Sequence, residues 1–232
     1  MDKLQIRATQ LETFRICPFR YKFEERVADA EHFRFGSALH KYIELLLNWT
    51  LNDTTQSMIL NDRWVKERLM IIKMWNLFDS KVKEKWYELV CSEWTTKTFF
   101  EDLNTVLEGT FDHLFKNKEW QYVLVDAKTA SSKRTQEHKD GVKQYIIYPS
   151  LLKKRYWLDI SVFEYWVMTK TSNPQLEDIN FTVPVTSVED VEEKVKDLVH
   201  TTETGVRTPN FPNHTCFFCK LRDRCRTYKP IT

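Results

Sequence analysis

The chain has 232 residues and a nearly balanced charge, with 35 lysines and arginines against 33 aspartates and glutamates. A hydrophobic content of 42% supports the core of one large domain, or of one domain with an insertion. The net charge of +2 does not by itself indicate a nucleic-acid-binding protein, so any basic surface has to arise from local clustering. The polar segment 1–10 lacks the apolar core of a signal peptide, and no apolar run reaches the roughly 20 residues that span a bilayer. We therefore expect a soluble, cytoplasmic protein without a membrane partner.

The N-terminal third is predicted to be helical. Residues 7–26 form a first helix, which Pro18 should interrupt because proline has no backbone N–H to continue the ladder. A polar loop is expected over 52–57, and a long helix with apolar residues at helical spacing follows it.

A further helix is predicted over residues 33–47, where apolar residues recur with a period of 3.6. Gly36, His40 and Glu44 fall on a different face of this helix. A lone histidine is most often a surface or structural residue, so His40 becomes a candidate ligand only through its context.

Five strands are predicted from alternating or continuous apolar runs, near residues 87–100, 103–115, 121–128, 158–169 and 179–185. A helix is expected over 136–156, between the third and fourth strands, and another begins near Ser187. The fold class that follows is α/β, with a central mixed β-sheet flanked by helices.

The strand over 123–129 ends in charges that a buried strand does not need. Asp126 and Lys128 are two residues apart, so their side chains share one face of the strand. Asp112, in the preceding strand, can reach the same strand end and share a divalent cation with Asp126. Carboxylate oxygens suit magnesium or manganese. Glu93 is either a further acid near this metal or a solvent-facing acid on an edge strand.

Gln144 and Tyr148 are four residues apart on the helix predicted over 136–156, and therefore lie on one face of it. There they can hydrogen-bond phosphate oxygens or a nucleophilic water, or they can pack as ordinary helix residues with Tyr148 in the core. Pro149 follows directly and predicts a kink.

The five cysteines are unevenly placed, because Cys216, Cys219 and Cys225 crowd the C-terminal tail. An odd count argues against a disulfide framework. Three thiolates so close together can bind one metal centre, which usually takes four ligands. Cys17 is the natural fourth, and Cys91, in a predicted core strand, suits the role less well. Zinc and iron–sulfur clusters both accept four cysteines, so thiolate chemistry alone leaves the metal open.

Four motifs in the same order resemble the PD-(D/E)XK nuclease superfamily, and within it the RecB-like branch. They are Gly36-x-x-x-His40, Gly109-x-x-Asp112, Asp126-x-Lys128 and Gln144-x-x-x-Tyr148. Asp-x-Lys alone occurs by chance, whereas four motifs in order over residues 36–148 are a strong signal. Cys17-Pro18-x-x-Tyr21 is also similar to the first motif of the iron–sulfur nucleases in this branch.

The resemblance implies a restriction-endonuclease-like core and a metal-dependent DNA nuclease, most specifically an exonuclease acting on single-stranded ends. His40, Asp112 and Asp126 would hold Mg²⁺ or Mn²⁺, with the carbonyl of Ala127 as a further ligand. Lys128 would position or deprotonate the attacking water and offset charge in the transition state.

Further roles follow from the same resemblance. Gln144 and Tyr148 would orient the substrate. The cysteine tail resembles the 4Fe–4S nucleases, which include the CRISPR-associated RecB-like exonucleases and the AddB nuclease domain. This favours a 4Fe–4S cluster over zinc, with His214 as a less favoured substitute for one cysteine.

The expected domain organisation is a single nuclease domain over 1–232, divided into a helical part at 27–85 that covers the active site, an α/β core at 86–204 and an iron–sulfur tail at 205–232 that closes onto Cys17. DNA is the expected partner, and the family alone implies a helicase or an integrase beside it. Two other classes stay open, namely a DNA-end-binding module with little or no catalysis and a zinc-stabilised structural protein.

Overall fold

A computed structural model describes residues 3–23, 31–48, 50, 53–60, 65–132, 143–205, 221 and 225. Six strands occur in these ranges: β1 (Leu4–Arg7), β2 (Glu88–Phe100), β3 (Thr105–Lys116), β4 (Tyr122–Ala130), β5 (Ile160–Thr169) and β6 (Leu176–Thr182). The helices are α1 (Ala8–Ile16), α2 (Pro18–Phe23), α3 (Glu31–Leu47), α4 (Asp53–Leu60), α5 (Val65–Glu84), α6 (Gln144–Tyr156) and α7 (Ser187–Thr204). A 3-10 turn, Glu101–Leu103, joins β2 to β3.

The six strands form one mixed sheet in which β3 has three partners. β2 pairs with β3 antiparallel along its whole length and so occupies one edge of that strand. The other edge is divided, because β1 pairs parallel with residues 105–108 and β4 pairs antiparallel with residues 113–116. Beyond β4 the sheet continues with β5, which is parallel to β4, and β6, which is antiparallel to β5. The central mixed sheet expected from the sequence is confirmed.

Helices cover both faces of the sheet, which explains why β4 and β5 are almost continuously apolar. One core lies between the sheet and helices α1, α6 and α7. The second core lies between the sheet and helices α3, α4 and α5. Among the described residues, no helix is long and apolar enough to cross a membrane.

Two local predictions need correction. The polar loop expected over 52–57 lies largely within helix α4, which packs Leu60 into the second core, so tertiary packing outweighs the weak helix preference of this segment. The first helix begins only at Ala8, because residues 4–7 form the short strand β1. Helix α6 contains Pro149, and the part of the predicted helix over 136–142 lies outside the described residues.

Candidate active site

The candidate site lies where strands β3 and β4 separate. The last paired residues before the two strands separate are His113 and Val125, and Asp112 and Asp126 are the first residues beyond that pair. We call this point of separation the fork. Beyond it, the backbone N–H of Ala127 has lost its strand neighbour and donates instead to Asp112 Oδ2, at 2.8 Å. The carboxylate of Asp112 thus takes the place of a strand backbone and is fixed at the fork.

Strand β3 also changes which face its side chains occupy at Asp112. Residues two apart on a regular strand share a face. Phe111, however, packs in the core beneath helices α1, α6 and α7, whereas His113 contacts Phe78 of helix α5 on the other face, with ring centroids 5.0 Å apart. The alternation of the strand is therefore reversed at Asp112.

The paired strand β2 has a matching break. Ser92 Oγ lies 3.0 Å from His113 Nδ1, while the ring of Trp94 contacts Phe111 on the opposite face, with centroids 6.4 Å apart. Glu93 stands between them with φ of 49°, a left-handed conformation that few non-glycine residues adopt. The pairs on either side place Glu93 opposite Asp112. We call this double break the crease, defined by Glu93 and Asp112.

Lys128 joins the two aspartates of the fork. Its Nζ lies 3.0 Å from Asp126 Oδ1 and 3.6 Å from Asp112 Oδ2. The second oxygen of Asp126, Oδ2, is buried and has no hydrogen-bond partner among the described residues. Buried carboxylate oxygens normally have a partner, so this one marks a place for a ligand.

The two carboxyl groups are driven apart in acidity. Burial, and then the charge of Asp112, raises the pKa of Asp126 to about 7, against the opposing effect of Lys128. Burial would also raise the pKa of Asp112, but the charges of Lys128 and His40 hold it below its usual value. Burial disfavours the ammonium of Lys128, yet the charges of the two aspartates outweigh it and raise the pKa of Lys128 well above its ordinary value. Asp112 is therefore ionised at neutral pH, whereas the ionisation of Asp126 depends on a neighbouring cation.

Helix α3 brings His40 to the crease. Nδ1 of His40 lies 3.3 Å from Glu93 Oε1 and 3.6 Å from Asp112 Oδ2. Burial would lower the pKa of His40, but the charge of Asp112 and the hydrogen bond to Glu93 outweigh it and raise that pKa. Ligand atoms of His40, Glu93 and Asp112 all lie within 4.8 Å of one another, so these three residues could hold a metal ion.

Helix α6 forms another wall of the site. Tyr148 is buried, and burial followed by the charge of Asp126 raises its pKa. A Cβ at Gly109 would lie 3.0 Å from Tyr148 Cε1 and 3.0 Å from Leu151 Cδ1. This glycine therefore allows side chains of helix α6 to approach the sheet closely. Gln144 is half-buried in the first turn of α6.

Sequence reasoning missed Glu12 of helix α1. Glu12 Oε1 accepts a hydrogen bond of 3.0 Å from the backbone N–H of Lys143, at the start of α6. Burial raises the pKa of Glu12, and the charge of Lys128 acts in the opposite direction. Glu12 belongs to none of the motifs, and only the fold brings it to this helix end.

The predicted cluster cysteines are only partly described. Cys17 lies directly after α1, where its N–H donates to the carbonyl of Thr13 at 2.9 Å. The N–H of Cys225 donates to the carbonyl of Leu221 at 2.8 Å. Cys216 and Cys219 lie outside the described residues, so the predicted cluster stays a prediction.

Comparison with known proteins identifies the class. The sequence model of the PD-(D/E)XK nuclease superfamily matches residues 5–226. The chain therefore belongs to this superfamily, and its sheet and flanking helices are consistent with a restriction-endonuclease-like core. No curated protein sequence matches the chain.

Solved structures show a similar fold. The chain is similar to a putative exonuclease from Eubacterium rectale, with a TM-score of 0.53 and 10% identity over 98% of this chain and 91% of that one. It also matches SSO0001, with a TM-score of 0.47 and 17% identity over 98% and 88% of the two chains. An alkaline exonuclease from Laribacter hongkongensis gives a TM-score of 0.40 and 10% identity over 87% and 89%. At 10% identity, the similarity to the protein from Eubacterium rectale shows a common fold alone.

A divalent metal, which nucleases of this superfamily use, suits the residues at the fork. The donor set combines an imidazole nitrogen with carboxylate oxygens of Glu93 and Asp112. Asp126, which was also predicted to bind the metal, is not part of this group, and its buried Oδ2 has no hydrogen-bond partner among the described residues. Oxygen and imidazole donors together suit manganese, and carboxylate donors suit magnesium.

Proposed function

We propose that this chain is a metal-dependent DNA nuclease of the RecB-like branch, and specifically an exonuclease that hydrolyses phosphodiester bonds at single-stranded DNA ends. The observation that carries the proposal is the meeting of Asp112, Asp126 and Lys128 at the fork, where Asp126 Oδ2 is buried and has no hydrogen-bond partner in the part of the chain that the structure describes. A stably folded binding module gains nothing from a buried, unsatisfied carboxylate, whereas a cation site requires one.

His40, Asp112, Asp126 and the carbonyl of Ala127 would hold Mg²⁺ or Mn²⁺. Such a metal polarises the phosphodiester and lowers the pKa of a nearby water. Asp112 is suited to this role because the N–H of Ala127 fixes its orientation. The same hydrogen bond holds Ala127 at the edge of the fork, where β3 no longer covers it.

Lys128 would position the attacking water and offset charge in the transition state. The two aspartates raise its pKa, so the side chain is an ammonium before the metal binds. This favours positioning and electrostatic stabilisation over proton abstraction by Lys128 in that state.

Gln144 and Tyr148 would orient the substrate from helix α6. The pKa of Tyr148 is raised, so its hydroxyl stays protonated at neutral pH and can donate to a phosphate oxygen. Gln144 precedes it by one helical turn on the same face, and its amide offers both a donor and an acceptor.

Cys17, Cys216, Cys219 and Cys225 would bind a structural 4Fe–4S cluster, which joins the tail over 205–232 to the N-terminal helices. The support is the spacing of these cysteines and its resemblance to iron–sulfur nucleases. Thiolate ligands require reduced cysteines, so this proposal includes a reducing compartment such as the cytoplasm. The proposed map keeps one nuclease domain, with residues 27–85 covering the site and 86–204 as its core. A helicase or integrase partner belongs to the same proposal.

The direct test is cleavage of an end-labelled single strand in Mn²⁺, with and without a chelator. Wild type should cut in Mn²⁺ and should stop cutting when the chelator is added. The ladder of products from one labelled end gives the polarity of cleavage. Lys128→Ala should lose cleavage by at least about 10²-fold. Lys118→Ala, an exposed lysine on the hairpin, is the matched control and should cut normally. Tight binding of the strand without cleavage by wild type would favour the DNA-end-binding module.

The cluster is tested by iron and zinc analysis of anaerobically purified protein, together with thermal melting. Cys219→Ala should lose iron and melt at a lower temperature than wild type. Cys91→Ala is the control, because its thiol lies in strand β2 and should leave the iron content unchanged. Unchanged iron and melting in Cys219→Ala would rule out the cluster, and zinc in place of iron would support the structural zinc site.

A further inference from the structure

The crease places a third acid at the candidate metal site. Glu93 is half-buried, and its Oε1 lies 3.3 Å from Nδ1 of His40. Asp112 Oδ2 lies 3.6 Å from the same nitrogen. Two carboxylates from paired strands therefore converge on one imidazole nitrogen from the opposite helix.

These separations suit ligands that share one cation. Donor atoms about 2.0–2.2 Å from a metal, at angles between octahedral and tetrahedral values, lie about 2.8–3.6 Å apart. The two nitrogen–oxygen distances at His40 fall within this range. The distances from His40 Nδ1 therefore suit a cation shared by His40, Glu93 and Asp112, whose ligand atoms all lie within 4.8 Å of one another.

The backbone of Glu93 gives a second reason to assign it a role. Its φ of 49° is costly for a residue with a Cβ, and such strain persists only where the surroundings impose it. The ion pair with His40 is a weak compensation, because both side chains are partly exposed and partly screened. A glycine would adopt the same backbone more easily, so the glutamate side chain itself has to account for the residue.

The left-handed conformation also explains how Glu93 reaches the site. It reverses the alternation of β2 opposite the reversal of β3 at Asp112, and the crease turns both carboxylates toward helix α3. Because His40 lies on α3, the site combines one helix residue with two residues that face each other on the paired strands β2 and β3.

We propose, resting on the proposed function, that Glu93 is a ligand of the catalytic metal in addition to His40 and Asp112. A different role is possible for a carboxylate beside a histidine, since it can accept the imidazole N–H and only orient the ring. The two roles separate on substitution. A glutamine at position 93 still accepts a hydrogen bond and can orient His40, but it has lost the charge that makes a carboxylate a strong ligand.

The experiment is a titration of the full-length, metal-free protein with Mn²⁺, in which free Mn²⁺ is followed by electron paramagnetic resonance. Glu93→Gln and Glu93→Gly should bind Mn²⁺ at least about 10-fold more weakly than wild type. Glu88→Gln, an exposed glutamate of the same strand, should bind as wild type does. Melting of the metal-free proteins is measured in parallel, and Glu93→Gly should melt at the same or a higher temperature because the strain is relieved. Weaker binding by a variant of unimpaired stability excludes a folding defect.

Asp112→Asn separates the outcomes. If it loses Mn²⁺ binding while Glu93→Gln binds within about twofold of wild type, Glu93 only orients His40 or is a bystander, and the proposed function stands. If wild type binds no Mn²⁺, or Asp112→Asn binds normally, the metal site and the proposed function both fail. Loss of binding in Asp112→Asn and in both Glu93 variants supports the assignment.

Discussion

Two buried charged clusters lie in the same sheet, and they differ in whether every oxygen has a partner. In the cluster around Glu164 of β5, Oε1 accepts hydrogen bonds from Lys85 Nζ, at 2.6 Å, and from the hydroxyl of Tyr87, at 2.7 Å. Its Oε2 accepts a hydrogen bond of 2.9 Å from the indole N–H of Trp166. In the cluster around Asp126, Oδ1 accepts a hydrogen bond from Lys128 Nζ, and Oδ2 accepts none from the described residues.

The difference separates a structural network from the one to which we assign a function. The Glu164 cluster is closed, because its donors satisfy both carboxylate oxygens and fasten the end of α5 to the sheet. The Asp126 cluster is open, because the fork removes the strand that would otherwise fill the space. The same residue types therefore stabilise the fold in one place and leave room for a cation in the other.

Removing the charge of the open cluster should have the largest effect. Asp126→Asn is expected to reduce cleavage by at least about 10²–10³-fold, because a proposed metal ligand and a charged partner of Lys128 are lost together. The metal-free protein should unfold at the same or a higher denaturant concentration, since a costly buried charge has gone. Cleavage rates and urea unfolding of the same samples check both expectations. A variant with wild-type cleavage would refute the role assigned to Asp126.

Opening the closed cluster should damage stability instead. Glu164→Ala removes the acceptor shared by Lys85, Tyr87 and Trp166, and we expect a loss of about 3 kcal/mol in the free energy of unfolding. Mn²⁺ affinity should be unchanged below the unfolding transition. Denaturant unfolding and Mn²⁺ titration measure the two quantities. A stable Glu164→Ala variant with weakened Mn²⁺ binding would overturn the distinction between the clusters.

A methyl group at Gly109 tests the packing that places Tyr148 beside the open cluster. Its Cβ would meet Tyr148 and Leu151 at 3.0 Å, so Gly109→Ala should cost about 1–2 kcal/mol in the free energy of unfolding and displace the tyrosine. We expect cleavage to fall with Mn²⁺ affinity intact. Gly36→Ala is the control, because among the described residues a Cβ there meets only Thr129 Oγ1, at an ordinary 3.6 Å. Equal effects of the two substitutions on cleavage would argue against a role for Tyr148.

The smallest expected effect concerns Glu12 and pH. Burial raises its pKa in the folded state above the ordinary value of 4.5. The folded protein therefore holds this proton more tightly, and the associated stability is full below pH 4.5 and is lost as the pH rises through the folded-state pKa. Glu12→Gln keeps an oxygen for the N–H of Lys143 but cannot ionise. Its free energy of unfolding should match wild type near pH 4 and exceed it at pH 7, in urea unfolding at both values. An advantage confined to pH 4 would contradict the assigned direction.

The parts of the fold that follow regular periodicity could be predicted from the sequence. Strands β2 to β6 and helices α3, α5 and α7 were expected near their actual positions, because long alternating or helical patterns dominate there. The short strand β1 was missed because four residues carry too little pattern. Helix α4 was missed because packing against α3 decides its structure, and a polar sequence does not reveal that packing.

The candidate site was predictable only in part, for a physical reason. Asp126 and Lys128 share a face because β4 is regular there, and Asp112 was expected on the neighbouring strand. The crease breaks that regularity, so no alternation pattern could show that Glu93 turns toward His40. A glutamate in left-handed backbone has no sequence signature, and its role was left open between ligand and surface acid.

The most direct measurement compares two half-buried lysines, one from each cluster, in cleavage of an end-labelled single strand with Mn²⁺. Lys128→Ala should cut at least about 10²-fold more slowly than wild type at a temperature where it is folded. Lys85→Ala should melt at a lower temperature but cut at the wild-type rate per folded molecule, because its ammonium serves only the closed cluster. Cleavage by Lys128→Ala at the wild-type rate, or an equal need for the two lysines in cleavage by the folded protein, would contradict the role proposed for Lys128.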